Sequence, residues 1–255
     1  MNAATETSER WQDFFAHPAY VRFASQILDP ARTEAEVEGL ERLVPIQPGT
    51  RVLDLGCGYG RFSLPLARLG CDVTALDASC TQLELARAAA EGEGLRMSFV
   101  RADMRDLDIV GGFDVVLLLG TALGYVDDPD GDQTAIATAA RALAPGGALV
   151  IDTENREPKL RAAPQVWFRM GEALLWAERD YDHLTGRWTE RMEWENGGGR
   201  DVAEYRLWLY TAAELRRMLI AAGLTVDGLW GSLDGRPYED TSPRTVLRAG
   251  KDEGG

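Results

Sequence analysis

At 255 residues, 45% of them hydrophobic, the chain is long enough for one sizeable globular domain, and no run approaches the ~20 apolar residues that span a bilayer. Its 27 basic residues face 41 acidic ones, a net of −14, and such a surface repels phosphate backbones and anionic lipid, which argues against nucleic-acid and membrane partners. Cys57, Cys71 and Cys80 cannot all pair and lack the Cys/His spacing of a zinc site, and the polar start MNAATETSERWQD reads as neither secretion signal nor import sequence. Reduced thiols, no metal and a cytoplasmic location are expected.

The first elements are helical. The stretch 11-WQDFFAHPAYVRFASQIL is aromatic-rich and reads as packing, with His17 ahead of Pro18. Thr33 and Glu36 read as the cap of a helix that carries Val37, Leu40 and Val44 at helical spacing and closes at Pro45 and Pro48-Gly49. Between residues 50 and 152, five short apolar runs alternate with helical patterns: 51-RVLDL, 72-DVTALD, 97-MSFVRAD, 113-FDVVLLLG and 148-ALVIDT. That rhythm builds a parallel sheet with crossover helices, at least half of a doubly wound fold. Ser79 with Gln82 predicts a capping box for 79-SCTQLELARAAAEG, with Leu83 and Ala86 on the sheet side and Gly92 or Gly94 at its end. A second helix, 132-DQTAIATAARALAPGG, starts at an acidic cap and stops at Pro145-Gly146-Gly147.

After residue 155 the period shifts to two. The stretches 173-ALLWAERDY, 187-RWTERMEWE and 201-DVAEYRLWLY predict half-buried antiparallel strands, with turns at 182-DHLTG and 196-NGGGR. Thr211 and Glu214 then cap a helix with Leu215, Met218, Leu219 and Ala222 on one face, and 224-LTVDGLWG and 243-PRTVLRA predict two final strands. The expected organisation is one domain over 1–255: an N-terminal helical cap at 1–48, a cofactor-binding core at 49–155, an antiparallel insert at 160–210 and a completion of the core at 211–250. An insert placed there rises from the carboxyl edge of the sheet, where open α/β folds bind ligands.

The chemistry lies at the strand ends. Between the first strand and its helix, 56-GCGYGR-61 offers a bare backbone whose N–H groups are expected to aim at one spot. It departs from the dinucleotide fingerprint, because the third glycine comes one place early and Asp54 stands two residues ahead, where it would repel a pyrophosphate. Asp77 ends the second strand, 21 residues past Gly56, where an acid accepts from ribose hydroxyls; Asp103 ends the third, beside Met104. Three acids around a glycine turn describe a site for a cationic adenosyl ligand, and S-adenosylmethionine has those parts.

At this point the sequence resembles the class I S-adenosylmethionine-dependent methyltransferases, through 52-VLDLGCGYGR, 75-ALDAS, 101-RADMRDL, 113-FDVVLLLGTALGYV and 143-LAPGGALVIDTEN. The tails 180-DYDHLTGRWTERMEW, 208-WLYTAAELRRMLIAAGL and 234-DGRPYEDTSPR look like those of its bacterial small-molecule members. The resemblance implies an α/β, Rossmann-like seven-stranded sheet with helices on both faces and the last strand antiparallel. It implies that Asp54, Gly56, Cys57, Gly58 and Gly60 hold the methionine part, Asp77 and Ala78 the ribose, Asp103 and Met104 the adenine, and that Leu119 and Gly120 face the sulfonium, with S-adenosylhomocysteine as product.

Tyr20, Tyr125 and Asn155 are the candidates for the acceptor pocket, since each is expected at the ligand-binding edge. Trp188, Met192 and Trp194 read as sheet packing or a dimer face, and an acid of 187-RWTERMEWE turned toward the pocket would favour a cationic acceptor. His183 falls in a turn and no catalytic base is assigned. The expected activity is methyl transfer to an O, N or C atom of a small molecule by a monomer or a homodimer paired through the insert. A nicotinamide-dependent oxidoreductase and a cofactor-binding subunit without turnover are the alternatives.

Overall fold

Strands whose side chains are apolar at nearly every position must be covered on both faces, and alternate residues of the central strands meet two separate layers. The computed structural model describes residues 11, 14, 15, 17, 30–128, 130–170, 173–196 and 199–253. Its larger sheet holds seven strands: β1 (Arg51–Leu55), β2 (Asp72–Asp77), β3 (Ser98–Arg101), β4 (Phe113–Leu118), β5 (Leu143–Glu154), β10 (Thr225–Trp230) and β11 (Arg244–Gly250). Their order is β3-β2-β1-β4-β5-β11-β10. The first five are parallel, whereas β11 is antiparallel to both β5 and β10. Strand order reverses at β1 and β4, which opens a crevice at their carboxyl ends.

On one face Leu53, Leu55, Val116, Leu118 and Ile151 pack against α4 (Gly131–Ala142) and α6 (Ala212–Ala221). On the other, Val52, Val73, Val115, Leu117 and Val150 meet α1 (Pro30–Leu43) and α2 (Ser63–Arg68). Leu83 and Ala86 of α3 (Cys80–Glu93) are buried as expected, and Gly94 ends that helix in the left-handed region at φ 67°. Leu117 is fully buried, so truncating it to alanine is worth about 2–5 kcal/mol.

Between β5 and α6 stands a second sheet, a meander of β6 (Gln165–Met170), β7 (Ala173–Asp182), β8 (Arg187–Asn196) and β9 (Gly199–Trp208). The period-two pattern located three of these strands; β6, which pairs with β7 from Gln165 to Met170, is an addition. Trp188, Met192 and Trp194 lie on the face turned toward the larger sheet, all buried, so they are not an exposed dimer face. Trp167 and Leu174 are exposed on the opposite face, 59% and 47%.

The insert is fastened to the loop after β4. Trp208 N donates to Gly124 O at 2.8 Å, and Arg187 Nη1 and Trp208 Nε1 each donate to Val126 O at 2.9 Å. A Cβ at Gly124 would lie 2.9 Å from Trp208 O, which explains the glycine.

Two helix starts differ from expectation. α1 is already helical at Pro30, so Thr33 and Glu36 lie within it: Thr33 Oγ1 accepts from Arg61 Nε at 3.1 Å, and Glu36 pairs with Arg32 and Arg61. Asp132 does not cap α4 either: buried in its first turn, it accepts from Gly124 N at 3.1 Å and Tyr210 Oη at 2.8 Å. Thr211 and Glu214 do form the complete box expected of them.

Candidate functional site

The carboxyl ends of β1, β2, β3 and β4 surround a cleft of about 840 Å³. Gly56, Gly58, Asp77, Ala78, Asp103, Met104, Leu119 and Gly120 all line it, eight of the eleven positions expected at a cofactor site. The glycine turn needs its glycines: Gly56, Gly58 and Gly60 have φ of 74°, 56° and 87°, and a Cβ on Gly56 would sit 3.0 Å from Ala122 Cβ and 3.3 Å from Met104 Cε.

The turn does not aim its N–H groups at an open spot, as the bare sequence suggested. Gly56 N and Cys57 N both donate to Leu76 O, at 2.8 and 3.0 Å, and Gly60 N donates to Cys57 O at 3.1 Å. Gly58 N donates to Asp77 Oδ2 at 2.8 Å. These donors, which a phosphate-binding turn would present to its ligand, are spent within the protein.

Asp77 also accepts from Ser79 N at 2.8 Å. Burial raises its pKa, against the opposing pull of those backbone bonds. No cationic side chain pairs with it among the described residues, so its carboxylate is the natural acceptor for ligand hydroxyls. Asp103 differs, because Arg105 grips both its oxygens, Nε at 2.9 Å and Nη2 at 2.6 Å. Burial pushes the Asp103 pKa up, but those bonds outweigh it and leave the value lowered.

Three expected residues stand behind the cleft. Asp54 is buried beneath the turn and accepts from Ser63 Oγ at 2.5 Å; desolvation, reinforced by the charge of Asp77 and opposed by the Ser63 bond, lifts its pKa to about 6. Cys57 packs with Ala75 and Leu83, and burial raises its thiol. Gly60 packs against Ala86 and Leu64. The cleft also has residues that the sequence reading did not assign to it, among them Phe15, Gln82, Thr121 and Ala122.

A second, larger chamber of about 1520 Å³ adjoins the first and shares Phe15, Gly120, Thr121 and Tyr125 with it. Tyr125 therefore stands where the acceptor candidates were expected, on the boundary. Asn155 does not. It is buried, caps α5 (Arg156–Leu160) by accepting from Glu157 N, and donates to Ser242 O at 2.9 Å while Tyr238 Oη donates to it at 3.0 Å. Tyr20 lies outside the described residues. His17 lines the chamber and meets Trp194 edge-on, whereas His183 is exposed on the β7–β8 turn.

The wall between the two spaces is held in an uncommon conformation. Gly120 and Thr121 have φ of 65° and 66°, and Thr121 is the non-glycine residue with positive φ among those described. Gly120 N donates to Asp152 Oδ2 at 3.0 Å and Thr121 N to Asp152 O at 2.9 Å. Arg244 of β11 in turn holds both Asp152 oxygens, at 2.7 and 2.9 Å. Such strain persists only where surrounding contacts over-determine it.

On the insert side, Glu190 is buried and accepts from Tyr205 Oη at 2.9 Å and Arg179 Nη2 at 3.3 Å. Lys159 Nζ lies 2.5 Å from Glu154 and 3.6 Å from Glu190, and donates to Tyr205 Oη at 3.2 Å. An acid of 187-RWTERMEWE thus faces the chamber, but with cations already beside it. Burial, followed by the charges of Glu154 and Glu190, holds the Tyr205 phenol well above its ordinary value, so it does not serve as a base near neutral pH.

Among the described residues there is no group of three or more His, Cys, Asp or Glu that could hold a metal, and no helix is long and apolar enough to cross a membrane. Residues 52–147 match the family described as a methyltransferase domain. The cypemycin N-terminal methyltransferase of a Streptomyces species is 31% identical over 204 residues, which cover 78% of this chain and 82% of that protein. The ubiquinone biosynthesis O-methyltransferase of Cereibacter sphaeroides is 43% identical over 118 residues, 46% of this chain and 45% of that one. The chain thus spans about half the length of the ubiquinone relatives it matches. Among solved structures, the sugar N-methyltransferase KedS8 from a Streptoalloteichus species shares the fold with a TM-score of 0.75 at 22% identity, covering 99% of this chain and 100% of that one.

Proposed function

The chain belongs to the class I S-adenosylmethionine-dependent methyltransferases, and from that premise we propose that it moves a methyl group from S-adenosylmethionine to an O, N or C atom of a small molecule, releasing S-adenosylhomocysteine. When bound, the cofactor supplies a methyl group made electrophilic by its sulfonium. One observation carries the reading: the glycine turn spends its N–H groups internally while the unpaired Asp77 carboxylate faces the cleft. A pyrophosphate would find the N–H groups of Gly56, Cys57, Gly58 and Gly60 already spent and a nearby negative charge there, which speaks against the nicotinamide alternative. A ligand of hydroxyls, amines and one positive charge fits.

In this reading Asp77, with Ala78 beside it, accepts from the ribose hydroxyls, Asp103 and Met104 meet the adenine, and Arg105 holds the Asp103 carboxylate at that end. Asp54 holds the turn from behind through Ser63. The acceptor occupies the second chamber, and its nucleophile approaches past Gly120, Thr121 and Tyr125, which border both spaces. Transfer by in-line displacement asks the protein chiefly for alignment and exclusion of water, and an aromatic-walled chamber supplies both without a dedicated base. The curated relatives' names divide between O- and N-methylation, and the acceptor atom here stays open between them.

A homodimer, if formed, would join through the outer face of the four-stranded sheet, where Trp167 lies 5.2 Å from Trp176 and Val202 is exposed. The function is tested by titration calorimetry with S-adenosylhomocysteine against NAD, followed by transfer of a labelled methyl group into a panel of phenols and amines. Binding of the first ligand and incorporation of label are expected. Preferential NAD binding would overturn the proposal, and saturable S-adenosylhomocysteine binding with no transfer to any acceptor would favour a subunit without turnover.

A further inference from the structure

Gln82 has the position of a capping-box residue but does not act as one. Ser79 Oγ accepts from Gln82 N at 3.4 Å, yet Ser79 N is taken by Asp77, and the Gln82 side chain turns away into the cleft. There Nε2 donates to Phe15 O at 2.9 Å. A carbonyl oxygen only accepts, so the orientation of the amide is fixed by this bond. The other end, Oε1, is buried without a hydrogen-bond partner, in a residue 2% exposed. It lies over the glycine turn, where a Cβ on Gly58 would be 3.8 Å away, next to Asp77.

A buried acceptor with no donor is unusual, and here the missing donor has an address. The segment held at the other end of the amide reaches across both spaces. Phe15 lines the cleft and the chamber and meets Tyr125 edge-on at 5.0 Å, Phe14 lies 5.0 Å from Tyr205, and His17 N donates to Phe14 O at 3.2 Å.

We propose that Gln82 couples the two: a hydroxyl of the ligand in the cleft donates to Oε1, and the amide so fixed holds the aromatic segment at Phe15 over the adjoining chamber. It follows that occupancy of the cleft and the shape of the acceptor chamber are linked. The identity of that hydroxyl as a ribose group rests on the proposed function.

Hydrogen exchange on the full chain tests this, because closure of a segment appears as slowed amide exchange. In the wild type, saturating S-adenosylhomocysteine should slow exchange across residues 11–17 by about tenfold or more, besides protecting the turn at 56–60. Gln82→Leu should still bind it, about tenfold more weakly, and at saturation protect 56–60 but no longer 11–17. Should the leucine variant fail to fold, Gln82→Met, of similar length and unbranched, gives the same readout. Equal protection of 11–17 in wild type and variant, or none in a wild type that binds the ligand, overturns the coupling. A wild type that does not bind S-adenosylhomocysteine at all instead removes the cofactor assignment, and the coupling with it.

Discussion

The two adjoining spaces are built by different means. The cleft is made chiefly of short local stretches, Gly56 and Gly58, 76–78, 102–105 and 119–122, each at the end of a parallel strand. The chamber is made largely of scattered side chains from α1, α5, β5, β6, β7, β8, β9 and β11. Their charges differ in the same sense. In the cleft Asp77 is satisfied by backbone N–H groups and left without a cation, although Asp103 beside it is held by Arg105, whereas each carboxylate that lines the chamber, Glu36, Asp152, Glu154 and Glu190, lies within 4.0 Å of an arginine or lysine. Strand order therefore fixes the first space, and pairings between distant side chains fix the second. A cleft of the first kind is shared readily by a family, while a chamber of the second kind changes with single substitutions.

The sharpest way to break this contrast is at Arg244. Arg244→Met leaves Asp152 buried without its cation and should cost about 3–5 kcal/mol of stability in urea denaturation. Asp152→Asn in the same chain should recover part of the loss. If Arg244→Met is as stable as the wild type, the wall between the spaces is not held by this pair.

On the cleft side, Asp77→Ala should lower affinity for S-adenosylhomocysteine by about 100-fold, close to 3 kcal/mol, measured by calorimetry. Retained affinity would mean that the ribose is held elsewhere.

Asp54 gives a pH-dependent test. Its carboxyl is raised to about 6 in the folded protein from an ordinary 3.8, so the folded state binds the proton more tightly. The stability that Asp54 contributes is therefore fully present below pH 4 and is lost as pH rises through 4 to 6, amounting to roughly 3 kcal/mol once the carboxylate is fully ionised. Asp54→Asn should match the wild type near pH 4 and exceed it at pH 8 in thermal melts. A constant difference across that range would show that Asp54 does not titrate with folding.

The smallest effect is expected where the two spaces should be independent. Glu190→Gln removes the acid shared by Lys159 and Arg179, but should leave S-adenosylhomocysteine affinity within about twofold, or 0.4 kcal/mol. A larger change would mean that the chamber reaches the cofactor.

The sequence reveals the cleft far better than the chamber, for a local reason. A buried strand followed by glycines, or an acid at a strand end, is a contiguous pattern, and the β1 to β5 runs and the turn at Gly56 could be read residue by residue. Glu190 and Arg179 form a cross-strand neighbourhood 11 residues apart, and Arg244 meets Asp152 from 92 residues away. No spacing rule links such pairs. Asn155 shows the reverse error, since a strand-end asparagine looks like a ligand group until its hydrogen bonds are counted. Gln82 is the subtlest: Ser79-x-x-Gln82 predicts a closed local loop of bonds, and tertiary structure took the side chain for another purpose. Asp54 was recognised as important, but its burial behind the turn is a matter of depth, which periodicity in a short strand does not encode.

The arginine that steadies Gly120 and Thr121 belongs to β11, which slides between β5 and β10 only after both have been made. A ribosome must therefore release residue 244 before the wall between the two spaces acquires its brace, and a nascent chain that stops short of it carries the glycine turn without a finished partition.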